Sequence, residues 1–233
     1  MRIRDISPHW FWLPFGLIIA MVMAHYLLPG ETYQYYVAER EYGIVEWMQP
    51  ILLVPGIVFG ALALRFWPQL PTATARGWIL LVTLGAFYMM GEEISWGQWI
   101  FMWDTPDVML EINKQHETNL HNSSSWFNQK PRLLLELWVL FGTIRSGMRA
   151  YKHLSDDNGT TAYWFWPTRP LAWTGVLAML AMMPERVTDW WGVTPPFPFD
   201  IDAAEAQELV LAAYLSMFLA SALVRLKSLQ RIF

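Results

Sequence analysis

Two adjacent acids stand in Gly91-Glu92-Glu93-Ile94-Ser95-Trp96-Gly97-Gln98-Trp99, at the end of an apolar run that begins at Ile79. Neighbouring side chains on an α-helix point about 100° apart, so the two carboxyls cannot face the same way. On a continuous helix Glu92 shares a stripe with Trp96, and Glu93 shares another with Gly97. Either acid is a candidate metal ligand or general base. The bland alternative is a carboxylate pair satisfied by Arg186, His25 or donors from neighbouring helices.

A second polar run follows, from Asn113 to Asn122, and holds His116, Glu117 and His121. It differs from the zinc helix His-Glu-x-x-His because its histidines are five residues apart. Five residues turn a helix by about 500°, so the two rings diverge by roughly 140° and cannot reach one metal from a regular helix. Glu117 and His121, four apart, do share a face. With Glu92 or Glu93 they compose a carboxylate–imidazole set suited to zinc, manganese or iron. We therefore expect Glu92, Glu93, Glu117 and His121 as catalytic groups. Glu93, His116 and His121 are the expected ligands of a divalent metal cofactor. Glu46, Trp96, Gln98, Arg186 and Glu208 are expected to line the substrate pocket. The alternative for the loop is a set of histidines that cap helices or meet water. Further on, Asp202 followed by Glu205 reads as a helix N-terminus of the capping-box type, and Glu208 lies deeper.

These residues need a scaffold, and composition indicates which. Of 233 residues, 55% are apolar and 15% charged, where soluble domains carry about a quarter charged residues. The apolar residues fall in runs near the ~20 residues that cross a ~30 Å hydrocarbon layer. Spans are expected near 10–28, 44–66, 78–101, 133–150, 171–187 and 204–226, within a single domain. The fourth and fifth runs are short, and a re-entrant pair is the competing reading there. Pro50 and Pro55 each remove a hydrogen bond from the second span and predict a kink. Many of the 15 Trp sit at run ends, as rings that favour the headgroup level do. The first run lacks a small-residue cleavage site and reads as a retained span. Without cysteine, disulfides and thiolate ligation are excluded.

Basic residues set orientation, because cytoplasmic loops retain Lys and Arg. With six spans and the N-terminus inside, only Arg40, Lys114, Lys130, Arg132 and Arg186 of the 16 Lys and Arg lie outside. The 20 acids lie outside except Asp5, Asp156 and Asp157. The expected fold is an all-α polytopic transmembrane bundle of about six spans with both termini cytoplasmic. On that topology His25, Glu46, Gln49, Glu92, Glu93, Gln98, Glu136, Glu185, Arg186, Asp189, Glu205 and Glu208 fall in the outer half of their spans. A charge in the hydrocarbon costs about 2.5–3.5 kcal/mol on insertion scales, so such groups face the bundle interior or water. Their shared depth predicts one polar pocket open to the outer side.

Three stretches carry a resemblance: Glu39 to Trp47, Gly91 to Gln98, and the loop ending Asn119-Leu120-His121-Asn122. In these the chain resembles a family of uncharacterised bacterial multi-pass membrane proteins. The resemblance implies a membrane fold and a bacterial plasma (inner) membrane, and no particular chemistry. The Glu-Glu pair is also similar to that of intramembrane CAAX-type proteases. Here, however, Gly97 and Gln98 stand where an arginine follows in those enzymes, and the histidines lie in a loop.

The function expected from the residues is a metal-dependent hydrolase or transferase acting on a lipid or lipid-linked substrate, with membrane lipids as partners. A non-enzymatic accessory subunit of a larger complex, with a membrane protein partner, is the alternative. An ion- or proton-coupled transporter is a third reading, opposed by the near absence of ionisable groups in the inner halves of the spans. Basic patches interleaved with aromatics are missing, which argues against nucleic acid.

Overall fold

The computed structural model describes residues 3–38, 43–113, 115–120, 123–152 and 159–230, and among them every regular element is helical. After a turn at Pro8–Phe11, α1 runs over Trp12–Leu27. It is followed by α2 (Ile44–Leu64), α3 (Ala73–Glu93) and α4 (Ser125–Tyr151). The last three are α5 (Ala172–Ala181), α6 (Met183–Trp191) and α7 (Ala203–Gln230).

Four segments are long and apolar enough to cross a membrane: Pro8–Leu27, α2, α3 and Ala203–Leu229. The other two expected spans have different characters. With 27 residues α4 reaches about 40 Å, but it carries Arg132, Glu136, Arg145 and Arg149. The fifth expected span is divided at Met182. Pro184, in the first turn of α6, lacks an N–H and would crowd the carbonyl four residues back, so the α5 helix cannot run through it unchanged. Ten residues of α5 cover about 15 Å, half of the hydrocarbon layer. By contrast, α2 continues through both Pro50 and Pro55.

The last helix is the axis of the bundle. Its most apolar window is 94% buried, against 11% for Pro8–Leu27. A helix apolar on every side is stable where other helices surround it, and α2, α3, α5 and α1 all pack on α7. Close approach depends on small residues. Gly56 and Gly60 form a Gly-x-x-x-Gly pair on α2. A Cβ at Gly56 would lie 2.8 Å from Ser216 Cα of α7, and one at Gly60 would lie 2.7 Å from Thr83 Cγ2 of α3. In lipid, where apolar side chains gain nothing by leaving the solvent, such backbone proximity is a main source of helix association.

Polar contacts define two ends. At one, the Arg4 N–H donates to Ser228 Oγ at 2.9 Å, and Ser221 Oγ donates to Asp5 Oδ1 at 2.6 Å. The N-terminal segment and the end of α7 therefore share a side of the bundle. Arg225 is fully buried there. Its guanidinium lies 4.8 Å from the Tyr163 ring centre and 4.9 Å from that of Trp164, and Nη1 donates to the Tyr163 carbonyl at 2.8 Å. Aromatic faces thus carry much of its charge. At the opposite end, α7 begins as its sequence suggests. Asp202 Oδ1 accepts from the N–H groups of Ala204 and Glu205, both at 3.1 Å.

Candidate functional site

The acidic motif does not continue as helix. Instead of reaching residue 101, α3 ends at Glu93, and Ser95, Trp96 and Gly97 take positive φ angles of 45°, 54° and 101°. Only Gly97 adopts such a conformation without a steric cost. At Ser95 and Trp96 the cost is offset by the bonds that the turn makes possible. Trp96 Nε1 donates to Glu92 Oε1 at 2.7 Å, so the stripe expected of Glu92 and Trp96 survives as a contact across the break. The other carboxylate oxygen, Oε2, accepts the Leu120 N–H at 2.7 Å.

The rest of the motif fastens the loop in the same manner. Ser95 Oγ donates to Glu117 Oε2 at 3.0 Å and accepts from Trp99 Nε1 and Asn119 Nδ2, each at 3.1 Å. A hydroxyl has one donor and two acceptor positions, so Ser95 is saturated. Asn119 Nδ2 also donates to Glu117 Oε2. Asn113 uses all four of its positions: Nδ2 donates to the carbonyl and Oδ1 of Asn119, and Oδ1 accepts the N–H groups of Gln115 and Glu117. Gln98 Oε1 accepts the Thr118 N–H at 2.7 Å while Nε2 donates to Thr105 Oγ1 at 2.8 Å. Glu92, Glu117 and Gln98 thus engage the 105–120 segment directly. His116 is exposed, has φ 59°, and receives the Thr105 hydroxyl on its carbonyl.

Glu93 points elsewhere. The charges that act on it are those of Glu208, Glu205, Glu46 and Glu92, from α7, α2 and its own helix. Below this group lies Gln49, fully buried, with Nε2 donating to Glu205 Oε2 at 2.9 Å and Oε1 without a hydrogen-bond partner. Beside it Arg132 of α4 ties its own helix to α7. Nη1 donates to Glu208 Oε1 at 2.7 Å, Nη2 to Gln207 Oε1 at 2.7 Å, and Nε to Glu136 Oε1 at 3.2 Å. Gln207 passes the contact on, its Nε2 donating to the Ala178 carbonyl of α5 at 3.2 Å. Arg186 of α6 reaches Glu136 Oε2 at 3.4 Å.

The residues expected to act together therefore divide between two places. Glu46, Glu93, Glu208 and Arg186 belong to the acidic cluster, whereas Glu92, Trp96, Gln98 and Glu117 hold the loop. His121 lies outside the described residues. Among the described residues, no three His, Asp or Glu side chains converge closely enough to hold a metal ion. The expected ligand set of Glu93, His116 and His121 falls partly outside the described residues. Arg132, expected only as one of the five basic residues on the outer side, organises the cluster. Its sequence signal was Glu136 four residues later on the same helical face, a favourable ion-pair spacing.

A third polar group lies near the same end. His25 Nε2 lies 2.9 Å from Asp200 Oδ1, and its ring lies tilted against Tyr33 and Phe197, with centres 4.4 Å and 5.0 Å away. Burial, with the negative charges of Asp202 and Asp200 beside it, pushes the Tyr33 phenol up from 10.0 to about 12. The phenolate is disfavoured, so Tyr33 remains an O–H donor well past the usual range. The ultraviolet difference titration between the wild type and Tyr33→Phe should show its phenolate step near pH 12. A step near pH 10 would mean that Tyr33 is hydrated.

Compared with family models, curated proteins and solved structures, the chain matches none.

Proposed function

We propose that the chain is a six-span protein of a bacterial inner membrane, with both termini cytoplasmic and the acidic cluster open to the extracytoplasmic side. There it binds the positively charged part of a lipid or lipid-linked substrate and acts as a hydrolase or transferase. Glu93 takes the proton from the attacking water or hydroxyl, and Glu46, Glu205 and Glu208 hold the substrate. The observation that carries this reading is the meeting of Glu46, Glu93, Glu205 and Glu208 from three helices. Among the described residues, Arg132 and Arg186 both pair with Glu136 at this end, and Arg132 also pairs with Glu208. Acidic groups collected in a low-dielectric bundle repel one another, and a positive ligand relieves that repulsion.

The topology is tested on the native cysteine-free background. With a membrane-impermeant maleimide, Val193→Cys should label from the extracytoplasmic side and Lys227→Cys only after lysis. The activity is tested by comparing the lipids of cells carrying the wild type with those of cells carrying Glu93→Gln at equal protein level. Accumulation of one lipid or lipid-linked species in the variant is expected. Identical lipid profiles in the wild type, the variant and a deletion strain would remove the enzymatic reading.

A further inference from the structure

We infer that the stretch from Trp190 to Phe199 is a membrane anchor whose rings enter the lipid leaflet at the end of the bundle where α1 finishes. That leaflet is the extracytoplasmic one in the topology proposed above. The anchor follows from Pro8–Leu27 crossing the bilayer and from nothing at the acidic cluster. Its partner is lipid, at the boundary between headgroups and acyl chains.

Contacts with α1 fix the depth. The 20 residues of Pro8–Leu27 cover about 30 Å, the thickness of the hydrocarbon layer, so Tyr26 lies close to its boundary. The Phe197 ring centre is 5.9 Å from that of Tyr26 and 5.0 Å from that of His25. His25 Nε2 meets Asp200 Oδ1 at 2.9 Å, one residue beyond the stretch. The stretch is therefore held at the level where α1 ends. Only 11% of the apolar window of Pro8–Leu27 is buried, so the lipid-facing surface of α1 continues directly onto Phe197.

The chemistry of the stretch suits that level. From Trp190 to Phe199 there is no charged residue, and Asp189 and Asp200 stand at its two edges. Trp190, Trp191, Phe197 and Phe199 are between 57% and 69% exposed. Rings of this kind on an otherwise irregular segment are stabilised by leaving water for the acyl boundary. The backbone is adapted as well, since irregular chain near lipid must satisfy its own polar groups or keep them among the headgroups. Pro195, Pro196 and Pro198 have no N–H to satisfy. The N–H groups of Gly192 and Phe199 donate to the carbonyls of Thr188 and Pro196, both at 2.8 Å. The Thr188 hydroxyl donates to the Val193 carbonyl at 3.2 Å. The rings thus enter the leaflet while the remaining backbone stays at headgroup level, within reach of water. The segment from Phe101 to Ile112 also exposes apolar side chains, but Asp104, Asp107 and Glu111 interrupt it and oppose the same immersion.

The test uses the full chain, which has no cysteine of its own. Trp191→Cys and Phe199→Cys are each labelled with an environment-sensitive nitrobenzoxadiazole probe and placed in phosphatidylcholine nanodiscs. The water reference is the same probe on glutathione in buffer. Both labelled proteins should emit at shorter wavelength than the reference. Both should also be quenched severalfold when the lipids carry a spin label near the headgroup end of the acyl chain. Two positions keep the result readable if one variant fails to fold. Emission like that of the reference, unaffected by the spin-labelled lipid, overturns the anchor. A shift to shorter wavelength without quenching by that lipid overturns it too, because protein, such as a second copy of the chain, would then cover the stretch.

Discussion

Replacing Arg132 with methionine is expected to destabilise the bundle by roughly 3–5 kcal/mol, the cost of stripping one partner from a largely buried ion-pair network. The fork donates separately to Glu208, Gln207 and Glu136, so its loss takes a donor from two carboxylates and a fully buried amide at once. Arg132→Lys should recover only part of the loss, because an ammonium supplies a point charge without the planar spread that reaches two helices together. Adding Glu208→Gln to Arg132→Met should restore a share of the stability by removing one of the charges that Arg132 balanced. Thermal unfolding in detergent of the two single variants and the double variant measures the coupling. A loss below about 1 kcal/mol for Arg132→Met would mean that water screens this cluster as it does a surface pair.

Glu92→Leu should release the 113–120 segment. The carboxylate accepts one bond from the Trp96 indole and one from the Leu120 backbone, and leucine takes the acceptor from both part-buried donors. A fully buried orphaned donor costs about 1–3 kcal/mol, and with two part-buried donors a total near the low end, roughly 2 kcal/mol, is expected. Because the break at Ser95–Gly97 is held by the same bonds, the loss should appear locally. Amide exchange across 113–120 should rise sharply while α7 remains protected. Glu92→Gln retains one acceptor oxygen and should fall between the two. Uniform destabilisation, with the segment no more labile than α7, would show that Glu92 is not what fastens it.

The helices were legible in sequence wherever a long apolar run specified them: α1, α2 and α7 lie close to their expected limits. The end of α3 was not, because the positive-φ turn at 95–97 is stabilised by partners some 20 residues further on, among them Glu117 and Asn119. Local periodicity cannot register such distant bonds. The gathering of Glu46, Glu93, Glu205 and Glu208 was legible through depth, since alternating helices bring matching ends together. Their division from Glu92 and Glu117 was hidden, because one peptide unit separates Glu92 from Glu93 and only tertiary contacts send them apart. Arg132 escaped notice for a related reason: its partners Gln207 and Glu208 lie more than 70 residues away. The division of the fifth span at Met182 was foreshadowed by Pro184-Glu185-Arg186, although its position was not.

The encasement of α7 has a consequence for biogenesis. Every helix that packs on it precedes it in the chain, so during synthesis those helices enter the bilayer around a vacancy along their common axis. Gly56, the Gln49 amide and the N-terminal segment at Arg4 all await partners on α7. Until α7 arrives, the assembling protein presents that seam to lipids, insertion factors and membrane proteases, and its completion is a single late event.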